Sequence, residues 1–599
     1  MKGKKMNIPR PEYPRPQFER ENWINLNGTW TYEFDFGRSG IEREVFKSQG
    51  FKNEITVPFV PESKLSGVEH TDFIESMFYH RKLSIPSDWQ NRRIILNFGA
   101  VDFIAEIFLN GKKIFRHVGG STPFSVDLTK EVIPGNEYDL VVGVTDLIRS
   151  NTQGAGKQSP EYHSHNCVYT RSTGIWQTVD LESCGLGGIK SCRITPDLDG
   201  GRFVFTPQFY TEKRGYTFEV EIFDDGKLCA KKSMSVKSGI SMDIELDSPK
   251  AWSPENPFLY DIVYTVKDEN GNVDDVVKSY AGLRKIHIEN NKIFLNNKEV
   301  YLRLVLDQGF WPDSLWTAPC DQELENDILR SMRCGFNGAR LHQKVFEPRY
   351  HYYADKHGYL TWGEFPTWGL SCTRDHFYGD KNYFEAEVNH LREWSEVIER
   401  DFNHPSIVAW VPQNETHPMQ NKLTRYSDYI VFLYDLTKQL DPTRPINETS
   451  GWDHIKTDLW TIHCYVPTVE QLAERLQKDE VSGKEFKRHH EKNEVEYDGQ
   501  PCLVDEFGGF KYVPVDRRDP NDKSWGYGGL ILETPQDLLD RITPQVELMN
   551  NDERLSGYTY TQLTDVEQEK NGLYTYDRVP KCKEEDYAAI FGKVPARLK

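Results

Sequence analysis

The stretch Ile407-Val408-Ala409-Trp410-Val411-Pro412-Gln413-Asn414-Glu415-Thr416-His417 constrains this chain most. Its first five residues have the length and branching of a strand buried on both faces, and Pro412, with no N–H to continue a ladder, ends it. Asn414 and Glu415 then stand just past the strand end. The pattern recurs at Cys502-Leu503-Val504, a second short apolar run, followed by Asp505-Glu506-Phe507-Gly508-Gly509. Strands buried on both faces belong to parallel sheets covered by helices, and in a closed parallel barrel every C-terminal strand end opens on one side. Glu415 and Glu506 can therefore converge on one substrate.

The surrounding chain supports a barrel. From about residue 300 it alternates strand-like segments (301–306, 338–342, 359–362, 407–411, 444–450, 459–463, 502–504 and 557–563) with helical ones (321–334, 349–357, 384–401, 427–439 and 535–550) whose apolar residues recur three and four apart. Eight alternations predict a (β/α)8 TIM barrel, with Glu415 after the fourth strand and Glu506 after the seventh. Upstream the texture is all-β: runs at 29–34, 78–83, 93–98, 105–110 and 138–144 are separated by Pro, Gly and Asn, and Asn110-Gly111 is a two-residue hairpin signal. Many strands without intervening helices predict a jelly roll. Runs at 202–210, 217–223, 240–246 and 260–267 fit a smaller immunoglobulin-like β-sandwich. The expected fold is thus multidomain β plus α/β: a jelly roll at 1–184, an immunoglobulin-like sandwich at 185–285 and the barrel at 286–599.

Charge and composition narrow the function. With 73 basic and 92 acidic residues, a formal net charge of −19, no nucleic-acid or anionic-membrane partner is expected. The ten cysteines include no C-x-x-C pair and read as free thiols in a reducing compartment. The opening Met1-Lys2-Gly3-Lys4-Lys5-Met6 leads into no apolar segment, and a cytoplasmic location is the expectation. The 14 Trp and 30 Tyr offer flat faces of the kind a carbohydrate site uses, although cores use them too.

Each glutamate alone is most simply a solvated strand-end residue. Two carboxylates about 5–5.5 Å apart are instead the equipment of a retaining glycosidase, one as acid/base and the other as nucleophile. Further groups gather at the same strand ends: Asp307, Arg340, His342, Glu364, Asn414, Trp452, His463, Tyr465, Gln562 and Asp565. Arg340 and Tyr465 are expected to hold Glu506, and Asn414 to bond a sugar hydroxyl. Glu415 must carry a proton, which burial and the charge of Glu506 would favour. No metal-ligand spacing and no cofactor motif is present.

These residues resemble glycoside hydrolase family 2, the β-galactosidase, β-glucuronidase and β-mannosidase family, over essentially the whole chain. Asn22-Trp23-Ile24-Asn25-Leu26-Asn27-Gly28-Thr29-Trp30 is similar to the opening of its sugar-binding jelly roll, and Tyr169-Thr170-Arg171-Ser172-Thr173-Gly174-Ile175-Trp176-Gln177 to that domain's close. Asn403-His404-Pro405-Ser406 with Asn414-Glu415 resembles the acid/base motif, and Asp505-Glu506-Phe507-Gly508 the nucleophile motif. The resemblance implies a retaining exo-glycosidase in which Glu415 protonates the leaving oxygen and Glu506 forms the glycosyl-enzyme, the sandwich domains walling the pocket and supporting a homo-oligomer. Family glucuronidases bind the sugar carboxylate with an Asn-x-Lys motif; here Glu569 and Asn571 fall at those positions, with Lys570 between them. An acidic residue there would repel a uronate. Thr561 stands where the family has a Trp, so Trp311, Trp368 or Trp452 would supply the sugar platform. The expected substrate is a neutral sugar such as a β-galactoside. The alternatives are a β-glucuronide or galacturonide, a β-mannoside, a galactofuranoside or arabinoside, or a non-catalytic carbohydrate-binding role.

Overall fold

The computed structural model describes residues 8–372, 383–416, 423–479, 485–487 and 494–599. Residues 1–6 and His417, used above, lie outside them.

Period-two burial builds the two sandwiches. In Thr217–Asp224, Phe218, Val220 and Ile222 are buried and alternate with less buried Thr217, Glu219 and Glu221. This strand belongs to a four-stranded antiparallel sheet that packs on a three-stranded one over Phe203, Phe205, Phe218, Ile262 and Tyr264. Nearer the N-terminus, a six-stranded and a four-stranded antiparallel sheet enclose Trp30, Met77, Tyr79, Leu96, Val142 and Leu181. Asn110 and Gly111 join Ile104–Leu109 to Lys112–Val118 with φ of 48° and 76°, the left-handed values that a two-residue hairpin loop requires.

The C-terminal module carries seven parallel strands in the order Ile407–Val411, Leu360–Glu364, Gly338–Leu341, Leu302–Asp307, Leu555–Thr561, Cys502–Gly508, Trp460–Cys464. Ile407–Val411 and Cys502–Gly508 are buried at every residue, because helices such as Asp321–Arg333 cover the sheet's outer face.

Two expectations about this module change. Residues 444–450, expected as the fifth strand, make a single parallel bridge between Trp410 and Ile446. Trp410 N donates to Pro445 O, and Asn447 N to Trp410 O. On the other side, side chains replace the ladder: Thr461 Oγ1 donates to Asn447 Oδ1 and accepts from Gly451 N. The polar run Asn447-Glu448-Thr449-Ser450 bonds through its side chains and so fills the gap between the two edge strands without strand geometry. The strand beginning at Cys502 also runs on to Gly508, which places Glu506 within it rather than past its end.

The N-terminal sandwich closes over the barrel mouth. Ser121 N donates to Glu393 Oε2 at 3.1 Å, Tyr169 OH to Glu569 Oε2 at 2.6 Å, and Gly156 N to Trp368 O at 3.0 Å. No described helix is long and apolar enough to cross a membrane.

Candidate active site

Register sets the site. On adjacent parallel strands His463 stands directly across from Glu506, and pairing irregularities between Thr461 and His463 and between Val504 and Phe507 re-aim both side chains. Glu415 enters from the loop after Ile407–Val411 with φ of 47°, a left-handed conformation costing about 1–2 kcal/mol, and its N–H donates to Ser450 O at 3.1 Å. One oxygen of Glu415, one of Glu506 and a ring nitrogen of His463 all lie within 4.8 Å of one another. His463 Nδ1 is 2.9 Å from Glu415 Oε1 and 3.3 Å from Glu506 Oε2. Gly451 makes room for this ring, since a Cβ there would sit 2.0 Å from it.

Arg340 ties the constellation together from a fully buried position. Its Nη1 donates to Glu506 Oε1 at 2.8 Å, its Nε to Glu364 Oε2 at 2.7 Å and its Nη2 to Asn414 Oδ1 at 2.6 Å. That last bond orients the Asn414 amide and leaves Nδ2 without a partner among the described residues, a donor available to a sugar hydroxyl. Tyr465 OH donates to the other Glu506 oxygen at 2.5 Å and lies 2.9 Å from Thr561 Oγ1. Tyr527 stacks on Tyr465 with ring centroids 3.6 Å apart.

The charges are set by their neighbours. Burial pushes the Glu364 carboxyl up, and the Arg340 charge beside it more than reverses this, to about 2. Burial lowers His342, whose Nδ1 is 3.2 Å from Glu364 Oε1. Burial also lowers His463, but the charges of Glu506 and Asp505 outweigh it and the imidazole is pushed up to about 10. Asp505, accepting from Asn447 Nδ2 at 2.9 Å and Ser450 Oγ at 2.7 Å, is itself held below the usual carboxylate range, the His463 and Arg340 charges overcoming its burial. Glu415, His463 and Glu506 lie close enough together to share a metal ion, which would have to displace the proton of the imidazole.

The remaining sequence candidates divide. Trp452 lines a cavity of about 390 Å³ beside Glu415, His463 and Tyr465. Gln562 Nε2 donates to Asn571 Oδ1, and Asn571 Nδ2 to Glu569 Oε1, placing Gln562 one residue behind that carboxylate. Asp307 and Asp565 make no bond to the pair among the described residues, and each has partners elsewhere. Asp307, the last residue of its strand, accepts from Gly309 N and Tyr350 OH, and Asp565 from Gly572 N and Lys581 Nζ, so each braces the loop beside it. Trp311 carries Lys344 and Arg578 against its ring, and Trp368 carries Lys157. Tyr527, stacked on Tyr465, Tyr169, bonded to Glu569, and Lys157, seated on Trp368, have no spacing in the chain that relates them to the pair. The one sequence signal was Gly154-Ala155-Gly156 before Lys157, a mark of close backbone approach.

Replacing Arg340 with Met is expected to abolish turnover and to lower stability by about 3–5 kcal/mol, because it strands buried Glu364 and Glu506 without their cation. Denaturant titration beside initial rates checks both. A stability change below about 1 kcal/mol would show the carboxylates to be satisfied by other groups.

Comparison with known proteins gives the family and the fold. The family model for the sugar binding domain of glycosyl hydrolases family 2 matches residues 45–181, that for glycosyl hydrolases family 2 matches 189–284, and that for the family's TIM barrel domain matches 286–509. A β-glucuronidase of Paenibacillus borealis is 25% identical over 456 residues, covering 72% of this chain and 74% of its own. A β-galactosidase of Psychromonas ingrahamii is 23% identical over 479 residues, covering 75% of this chain and 42% of its own. In fold, the structure is similar to the β-glucuronidase from Ruminococcus gnavus in complex with D-glucuronic acid, with a TM-score of 0.78 at 19% identity over 98% of this chain and all of the other. The chain belongs to glycoside hydrolase family 2 and is a glycoside hydrolase.

Proposed function

We propose that this protein is a retaining exo-glycosidase that removes a terminal β-linked uronic acid, in the manner of a β-glucuronidase. The observation that carries the reaction type is the approach of one Glu415 and one Glu506 oxygen to within 4.8 Å, which favours the short carboxyl separation of a retaining enzyme over the wider one of an inverting enzyme. Glu506 attacks the anomeric carbon as the glycosidic C–O bond breaks. Glu415, 2.9 Å from His463, gives its carboxyl proton to the leaving oxygen and becomes a carboxylate. In the second step Glu415 withdraws a proton from water, which attacks the same carbon and releases Glu506. The cavity beside Trp452 lies where the leaving group departs.

The sugar assignment departs from the β-galactoside expected above. It rests on the curated relatives, among which β-glucuronidases of Paenibacillus borealis and Rattus norvegicus each align with over 70% of this chain. Glu569 argues less strongly against a uronate than its charge alone suggests. Its oxygens already accept from Tyr169 and Asn571, and burial raises its carboxyl toward the neutral form. A neutral β-galactoside is the second reading, favoured by the acidic residue at that position and by the β-galactosidase relative. Initial rates on nitrophenyl β-glucuronide, β-galacturonide, β-galactoside, β-glucoside, β-mannoside, α-arabinoside and β-galactofuranoside test it. The glucuronide is expected to exceed the galactoside in kcat/KM by at least about 100-fold, and the reverse order would reject the uronide assignment.

A further inference from the structure

Three lysines are buried among the described residues, and two of them have evident partners. Lys344 Nζ donates to the carbonyls of Gly309 and Trp316, and Lys581 Nζ to Asp565 Oδ1 and the Lys570 carbonyl. The third, Lys157, is 5% exposed, and its ammonium rests 4.0 Å from the centre of the Trp368 ring. No hydrogen-bond acceptor or carboxylate pairs with it among the described residues. A buried cation that rests on an aromatic face, with Glu569 near enough to feel its charge but not bonded to it, is left with donors that an anion could complete.

Its position is fixed against the catalytic pair. Ala155 N and Gly156 N both donate to Trp368 O, and a Cβ on Gly156 would meet Gln343 O at 2.2 Å, so this loop of the N-terminal sandwich is pressed onto the barrel mouth. Gln343 donates to Glu364, Glu364 holds Arg340, and Arg340 holds Glu506. Lys157 is close enough for its charge to act on both His342, whose Nδ1 is 4.0 Å from Glu506 Oε1, and Glu569. The lysine of the barrel loop itself, Lys570, is paired with Asp522 at 3.1 Å.

We infer that Lys157, contributed by the N-terminal sandwich, binds the carboxylate of the uronic acid in the catalytic pocket and determines specificity for an acidic sugar. The inference rests on the uronide reading above. It makes the N-terminal module part of substrate recognition rather than only a wall, and it assigns to that module the cation that Glu569 displaces from the barrel loop.

Kinetics of Lys157→Met and Lys157→Arg on nitrophenyl β-glucuronide and β-glucoside test it. Lys157→Met is expected to lose about 100-fold in kcat/KM on the glucuronide, mainly through KM, and to change less than about 3-fold on the glucoside; Lys157→Arg should recover part of the loss. Because the free protein holds this charge unpaired, Lys157→Met should melt at or above the wild-type temperature, and glucuronate should raise the melting temperature of the wild type only. If the wild type cleaves glucuronides and Lys157→Met loses nothing on them, or loses both substrates equally with unchanged melting, the role of Lys157 is rejected and the uronide reading stands. A wild type that ignores glucuronides and cleaves neutral glycosides rejects both.

Discussion

Glu506→Gln should reduce kcat by about 10⁴-fold or more on any sugar the wild type hydrolyses, while leaving the fold intact. The substitution keeps the shape of the side chain but removes the oxygen able to form an ester with the anomeric carbon. Stability is preserved because Arg340 retains its 2.7 Å bond to Glu364 and its contact with the Asp505 carbonyl. Tyr465 loses a charged acceptor at 2.5 Å but keeps Thr561 Oγ1 at 2.9 Å. The covalent step is checked directly with a 2-deoxy-2-fluoro glycoside carrying a good leaving group. It should add one sugar mass to a wild-type peptide containing Glu506 and nothing to the variant. A label on another residue, or a variant retaining a tenth of the wild-type rate, would remove Glu506 from the role of nucleophile.

Glu415→Gln should behave differently for different leaving groups. A poor leaving group needs its oxygen protonated as the bond breaks, so kcat/KM for an alkyl glycoside should fall about 10²–10⁴-fold. A dinitrophenyl group departs without that help, so glycosylation should be nearly unchanged and release of the intermediate should become slow. A burst of dinitrophenol follows, and azide, which attacks without needing a base, should restore turnover. The alkaline limb of the kcat/KM profile should flatten as well. In the wild type, activity falls as pH rises because the acid loses its proton, and glutamine has none to lose. His463 would lose a contact at 2.9 Å that helps hold its imidazole up at about 10, so the ring should titrate lower in the variant. Equal losses on both leaving groups would mean that Glu415 positions the sugar instead of moving a proton.

Much of the architecture was readable from short patterns. Alternation in Thr217–Asp224, the left-handed pair at Asn110-Gly111 and the apolar run of Ile407–Val411 each report a property of the local backbone: its period, its permitted φ, or its burial on two faces. The two candidate glutamates were legible for the same reason, since Glu415 follows one apolar strand and Glu506 lies near the C-terminal end of another. Residues 444–450 were read as a strand, yet Asn447, Thr449 and Ser450 make side-chain bonds that take the place of a ladder. Asp307 and Asp565 share the strand-end positions of the catalytic groups, and only their partners, Tyr350 and Lys581, distinguish bracing from chemistry.

By itself the sequence determined the modules, their order and the family, and it singled out the two glutamates as candidates, because those depend on periodicity and on residues close together in the chain. The tertiary structure alone decided that His463 lies across from Glu506 and within 2.9 Å of Glu415, that Arg340 joins Glu364, Glu506 and Asn414, and that Lys157 of the first sandwich sits on Trp368 of the barrel. These groups are brought together by strand register, barrel closure and the docking of one module on another, and none of these leaves a local period in the chain from which the meeting could be read.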